Sequence, residues 1–96
     1  MPEPSPLPIR GRLPPSFQRR RVVLPPCSSR PYAEEEWRDA LVTIESGELV
    51  LECEHGGTRR FERGSLLWFT DLGLRTMHNR GAIPTVLVAI SRRRAA

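Results

Sequence analysis

Lysine is missing altogether from this 96-residue chain, so all fifteen of its positive charges are arginine guanidinium groups. Long apolar runs are missing too. The longest, Val86–Ile90, is far short of the roughly 20 residues a membrane-spanning helix needs, which excludes such a helix. Histidine occurs twice, at His55 and His78, with no Cys/His cluster beside either, so a structural zinc site is not expected. Cysteine also occurs twice. Cys27 and Cys53 stand in unlike contexts, which excludes a disulfide framework and fits a reducing compartment. Neither has a nearby activating base, so Cys53 reads as a core residue rather than a nucleophile. No stretch of ten residues carries a helical apolar stripe. The one helical candidate, residues 33–38, is too short to stand alone. The first residues lack the apolar core of a secretory signal, and a soluble cytoplasmic protein is the expectation.

What is present divides the chain in three. Nine of the ten prolines lie in residues 1–31, together with six arginines and one acid. Each proline fixes φ and removes a backbone donor. Residues 1–20 therefore read as an extended or disordered arm, and Arg21–Leu24 as a short edge strand. Residues 32–91 reverse the charge, with six arginines and ten acids, and residues 93–96 form a basic tail. The arginine triplets Arg19–Arg21 and Arg92–Arg94 offer phosphate contacts, but the acidic body and the absence of interleaved aromatics argue against nucleic acid as a partner.

The body reads as strands and turns. Residues 48–54 place Leu49, Leu51 and Cys53 on one face and three glutamates on the other, the period of a strand buried on one side. Residues 39–45, Thr58–Phe61, Leu66–Phe69, Leu74–Asn79 and Thr85–Ser91 read as further strands, separated by glycine-bearing turns. Turn signals every eight to twelve residues predict an all-β antiparallel sandwich or barrel.

At this point residues 32–91 resemble a cupin, a small jelly-roll β-barrel, and the barrel domain is expected to span residues 21–92. The resemblance rests on Ile44-Glu45-Ser46-Gly47-Glu48-Leu49, on Gly64-Ser65-Leu66-Leu67-Trp68-Phe69 and on Asn79-Arg80-Gly81 followed by Pro84. The cupin motifs run G-x5-H-x-H-x3/4-E-x6-G and G-x5-P-x-G-x2-H-x3-N. Gly64 and Asn79 are fifteen residues apart, as the second motif requires. The resemblance implies an iron, manganese or zinc site, yet the ligand positions fall on Glu34, Glu36 (or Ala33, Glu35), Ala40 and Arg75. Arginine stays protonated and donates only. No metal or other cofactor is therefore expected.

Candidate ligand-binding residues follow from that register. Arg75, if it faces inward, offers a bidentate fork to a carboxylate or phosphate; the alternatives are an ion pair with Glu34, Glu35 or Glu36, or plain exposure. Trp68, Phe69 and Met77 either line a pocket or fill the core. Glu34 and Glu36 are candidate acids or bases, or part of a solvated face. Strand alternation places His78 on the face opposite Arg75. Three functions remain open: a metal-free cupin-like domain that binds a small organic ligand, anionic where Arg75 meets it; a metal-independent cyclase or isomerase using a carboxylate and Arg75; and an interaction module with a filled barrel. About sixty ordered residues make a marginal core, and Val86–Ile90 is apolar on both faces, so a homodimer is expected.

Overall fold

A computed structural model of the chain describes residues 11–93. The arm residues 1–10 and tail residues 94–96 lie outside the described part. Among the described residues eight strands and one short helix follow in order: β1 (Phe17–Leu24), β2 (Ser28–Pro31), α1 (Glu34–Trp37), β3 (Leu41–Ser46), β4 (Glu48–Cys53), β5 (Thr58–Glu62), β6 (Leu66–Trp68), β7 (Leu74–Asn79) and β8 (Thr85–Arg92). The chain is all-β, as its alternation predicts. Among the described residues no helix is long and apolar enough to cross a membrane.

The strands form two four-stranded sheets, the first ordered β1-β8-β3-β6 and the second β2-β7-β4-β5. All pairings are antiparallel. Only β4 and β5 are both consecutive in sequence and paired in space; the other connections cross between sheets. That order is the double Greek key of a jelly roll.

The core lies between the sheets. Leu24, Val42, Ile44 and Leu87 come from the first sheet, and Leu49, Leu51 and Met77 from the second. Trp37 and Phe69 fill the space that remains, edge to face with ring centroids 5.3 Å apart. Trp37, Phe69 and Met77 are all wholly buried. Cys53 packs against this core half-buried, and Cys27 is exposed, both as free thiols.

Several boundaries differ from the sequence reading. β1 begins at Phe17, so residues 17–20, assigned there to the arm, lie in a strand. Its even positions face the core: Val22 and Leu24 are buried, and Arg20 follows them inward. β2 was not anticipated. It is a polar edge strand between prolines, and it forms because β7 supplies its partner, with Ser29 opposite His78. β8 is buried on both faces within the one chain. On its outer side Val88 and Ile90 are nearly inaccessible because Arg21 and Arg19 on β1 and Thr43 and Leu41 on β3 stand directly beside them. Long arginine stems cover apolar neighbours while their heads reach water.

Two residues fix the turns that carry the cupin-like spacing. Gly47, at φ +81°, joins β3 to β4 and packs against the backbone of Pro84 and Thr85. Asn79 is buried, and its Nδ2 lies 2.8–3.1 Å from the carbonyls of Leu24, Pro25 and Ile83. Its Oδ1 accepts the Gly81 N–H at 2.9 Å. One amide thereby pins the β1–β2 turn to the β7–β8 loop.

Candidate functional site

The helix α1 sits at one end of the sandwich and turns Trp37 into the core. Glu36, beside it, meets both sheets. Its Oε2 accepts from Arg20 of β1 at 2.9 Å and from Arg30 of β2, and its carbonyl accepts from Arg20 at 2.8 Å. The two guanidinium groups lie 4.7 and 5.9 Å from the Trp37 ring centroid. One half-buried carboxylate thus ties the first sheet to the second and offsets one of the two positive charges held over an aromatic plug. The Trp37 Nε1–H is buried without an acceptor. Glu34 is engaged separately, accepting from the Tyr32 hydroxyl at 2.9 Å. Burial, and then that hydrogen bond to Glu34, raises the Tyr32 pKa well above its ordinary value.

A cleft of about 680 Å³ opens where β1 begins and β8 ends. Its lining includes Arg20, Arg38, Arg92 and Arg93, the acids Glu35, Glu36 and Asp39, and the half-exposed Trp68. Two of the arginines are held in place. Arg92 lies 6.0 Å from the Phe17 ring centroid, and Arg93 donates from Nε to the Pro15 carbonyl at 2.9 Å.

Of the five residues picked from the sequence, the cleft brings together Trp68 and Glu36 only. Met77 is core. Glu34 is bound to Tyr32. Arg75 is exposed on β7, and the charge it acts on is Glu52. Of the alternatives open for Arg75, plain exposure is the one the structure shows; it does not face inward, and Glu34 and Glu36 are engaged by other partners. The cause is a β-bulge: β7 pairs Thr76 with Glu52 but Leu74 with Cys53, so residue 75 is the extra one and leaves the alternation. The same bulge brings Arg75 and His78 to a common neighbour, Glu52, instead of to opposite faces.

No family model matches the chain, and no curated protein matches it. Solved structures do. One is the Cupin_2 domain of an XRE family transcriptional regulator from Enterobacter cloacae, 18% identical over 82% of this chain and 84% of that one, with a TM-score of 0.63. Another is a sugar phosphate isomerase from a cupin superfamily, from Silicibacter pomeroyi, 25% identical over 82% of this chain, also at 0.63. The protein has a cupin fold. The match spans about half of the second neighbour, 52% of its length.

The cupin metal position can be tested against these side chains. Ala40 offers a methyl group and is buried in the core. Glu34 and Glu36 are already bound by Tyr32, Arg20 and Arg30. Arg75 is a cation on the outside. Among the described residues no group of three His, Cys, Asp or Glu side chains comes together to hold an ion. The donor set does not fit the cupin metal.

The sequence reading missed the second sheet's outer face. There Ser29 Oγ lies 2.6 Å from His78 Nδ1, and His78 Nε2 lies 2.9 Å from Glu52 Oε1. The signal available was Glu52 on the outward face of β4. Its neighbours come from β2 and β7, and no local pattern announces them.

Proposed function

We propose that this cupin-like chain is a cytoplasmic binding module that takes a small organic anion in the cleft beside α1, in a sensor or accessory role. The observation that carries the reading is the cleft's lining: Arg20, Arg38, Arg92 and Arg93 share it with the half-exposed Trp68 indole and with the acids Glu35, Glu36 and Asp39, of which Glu36 is already taken up by Arg20 and Arg30. Guanidinium forks suit carboxylate or phosphate, and the indole suits a flat or apolar remainder. Trp37, Phe69 and Met77 occupy the middle of the sandwich, so the mouth, not the interior, offers the room. One fold neighbour is described as a domain of a transcriptional regulator, in keeping with sensing, and the other as a sugar phosphate isomerase.

The test is titration with a panel of sugar phosphates and aromatic carboxylates, read by tryptophan emission. Trp68 is accessible to quenching and Trp37 is not. At least one member is expected to change the emission, with loss in Trp68→Phe and weakening in Arg92→Ala and at raised salt. Unchanged emission across the panel at millimolar concentration overturns the reading.

A second reading, an interaction module, is favoured by the first sheet's outer face. Leu66 and Trp68 on β6 and Val23 on β1 stand exposed there around Val88 and Ile90. We propose a second copy as the occupant. Four strands about 4.8 Å apart and about six residues long give a face of roughly 400 Å². That is about half the roughly 800 Å² per partner of a standard interface. The homodimer is therefore weak and concentration-dependent. Sedimentation equilibrium at high micromolar concentration is expected to show dimer that Leu66→Ser removes; a single monomeric species refutes it.

A further inference from the structure

Ser29, His78 and Glu52 come from three adjacent strands of the second sheet, β2, β7 and β4. Ser29 and His78 are register partners across the edge pair, and Glu52 is one row away on β4. Their contacts are directional. Hydrogen bonding from His78, reinforced by the charges of Arg75 and Arg80, lowers the Glu52 pKa, so the carboxylate is ionised and accepts only. The proton between Glu52 and His78 therefore sits on Nε2. In the neutral imidazole Nδ1 then keeps its lone pair and, at 2.6 Å, accepts the Ser29 O–H. This is the logic of an acid–histidine–serine relay, with the two ring nitrogens exchanged relative to the usual hydrolase order.

Ser29 is exposed on the edge strand, so a reagent can reach Oγ. His78 and Glu52 are half-buried on strands paired on both sides, which holds the base and its orienting acid in place. We propose that Ser29, His78 and Glu52 form an acyl-accepting centre on the outer face of the second sheet, with Ser29 as nucleophile towards small activated esters. Ser29 Oγ attacks the ester carbonyl carbon while its proton passes to His78 Nδ1. The imidazolium is stabilised by Glu52. Collapse of the tetrahedral adduct breaks the ester C–O bond and expels the alkoxide or phenolate, leaving acyl-Ser29. In the second half His78, having lost its proton to solvent, takes one from water. The resulting hydroxide attacks the acyl carbon, and the proton returns to Oγ as the carboxylic acid departs. No metal, oxidant or reductant enters. The centre lies on the opposite sheet from the arginine-lined cleft and stands independently of the function proposed there.

The probe is p-nitrophenyl acetate with the full chain at neutral pH, followed by nitrophenolate release and by peptide mapping of the acetyl group. A fluorophosphonate serves as a second, serine-directed probe. A positioned general base contributes about 10²–10⁴-fold. Ser29 is accordingly expected to label about 100-fold faster than the other serines of the chain. Ser29→Ala removes the label, and His78→Gln slows it by a similar factor. Glu52→Gln keeps a similar shape but lets the side chain donate, so the tautomer is no longer fixed and labelling slows about tenfold or more. Ser29 is an exposed edge residue, and coincident melting curves confirm that its alanine variant is folded. Labelling of Ser29 no faster than of Ser65 or Ser91, equal labelling in His78→Gln, or acetyl found on His78 in place of Ser29 each overturns the proposal.

Discussion

Gly47 closes the first cupin-like motif and Gly64 opens the second, yet the structure makes their alanine variants unequal. Both have a positive φ, +81° and +93°. An L-residue in that region costs about 1–2 kcal/mol. For Gly64 that is the whole cost, because an added Cβ meets nothing within 4 Å. For Gly47 the added Cβ falls 2.6 Å from the Pro84 carbonyl oxygen and 2.8 Å from Thr85 Cα and Oγ1. Two of those atoms are backbone, and Thr85 is wholly buried with its hydroxyl donating to the Glu48 carbonyl. Nothing flexible can move aside, so the start of β8 must shift, at about 1–3 kcal/mol more. Gly64→Ala is expected to lose about 1–2 kcal/mol and Gly47→Ala about 2–5. Urea titration of the two variants measures the difference through the shift in midpoint at constant slope. Equal destabilisation of the two, within about 0.5 kcal/mol, would refute the claim that Gly47 is held by close approach and not by φ alone.

Three further outcomes are expected. Glu36→Gln breaks the charged tie between the sheets; hydrogen bonds to charged groups are worth about 1.5–3 kcal/mol, reduced here by partial exposure to about 1–2, and the loss shrinks in high salt. Thermal melts at two salt concentrations check it. Asn79→Ala strands buried carbonyls at the β1–β2 turn and the β7–β8 loop, costing about 2–4 kcal/mol in chemical denaturation. The depressed pKa of Glu52 contributes stability above its unfolded value of about 4.5 that is lost as pH falls through the lower folded value. Acid titration of the wild type is therefore expected to run steeper below that value than titration of Glu52→Gln.

The legible part of the fold was the part governed by local periodicity. Glu48–Cys53 announces its buried face through Leu49, Leu51 and Cys53, and Leu74–Asn79 was placed to the residue. The glycine and asparagine spacing pointed to the jelly roll because Gly47 and Asn79 are held by contacts with distant turns. What escaped was decided by partners far along the chain. β2 is polar and flanked by prolines, and only β7 makes it a strand. Phe17–Arg20 looked like an arm because its arginines mask an alternation that Val22 and Leu24 complete. Counting left Arg75 open between an inward position, an ion pair and plain exposure, and one bulge residue, which no spacing announces, decides for exposure. The cleft joins Arg20, Arg38, Trp68 and Arg92 from four separate places, and the serine relay joins residues 29, 52 and 78. Spacing along the chain carries no trace of either.

Trp68 belongs to two surfaces at once, since it lines the cleft and also stands on the outer face of the first sheet. A solute resting against the indole meets the atoms that another molecule of the chain would cover. The two events are then antagonists, and thermodynamic reciprocity makes each weaken the other by the same factor. Dilution would free the mouth for its guest, and a guest in place would keep the molecules apart.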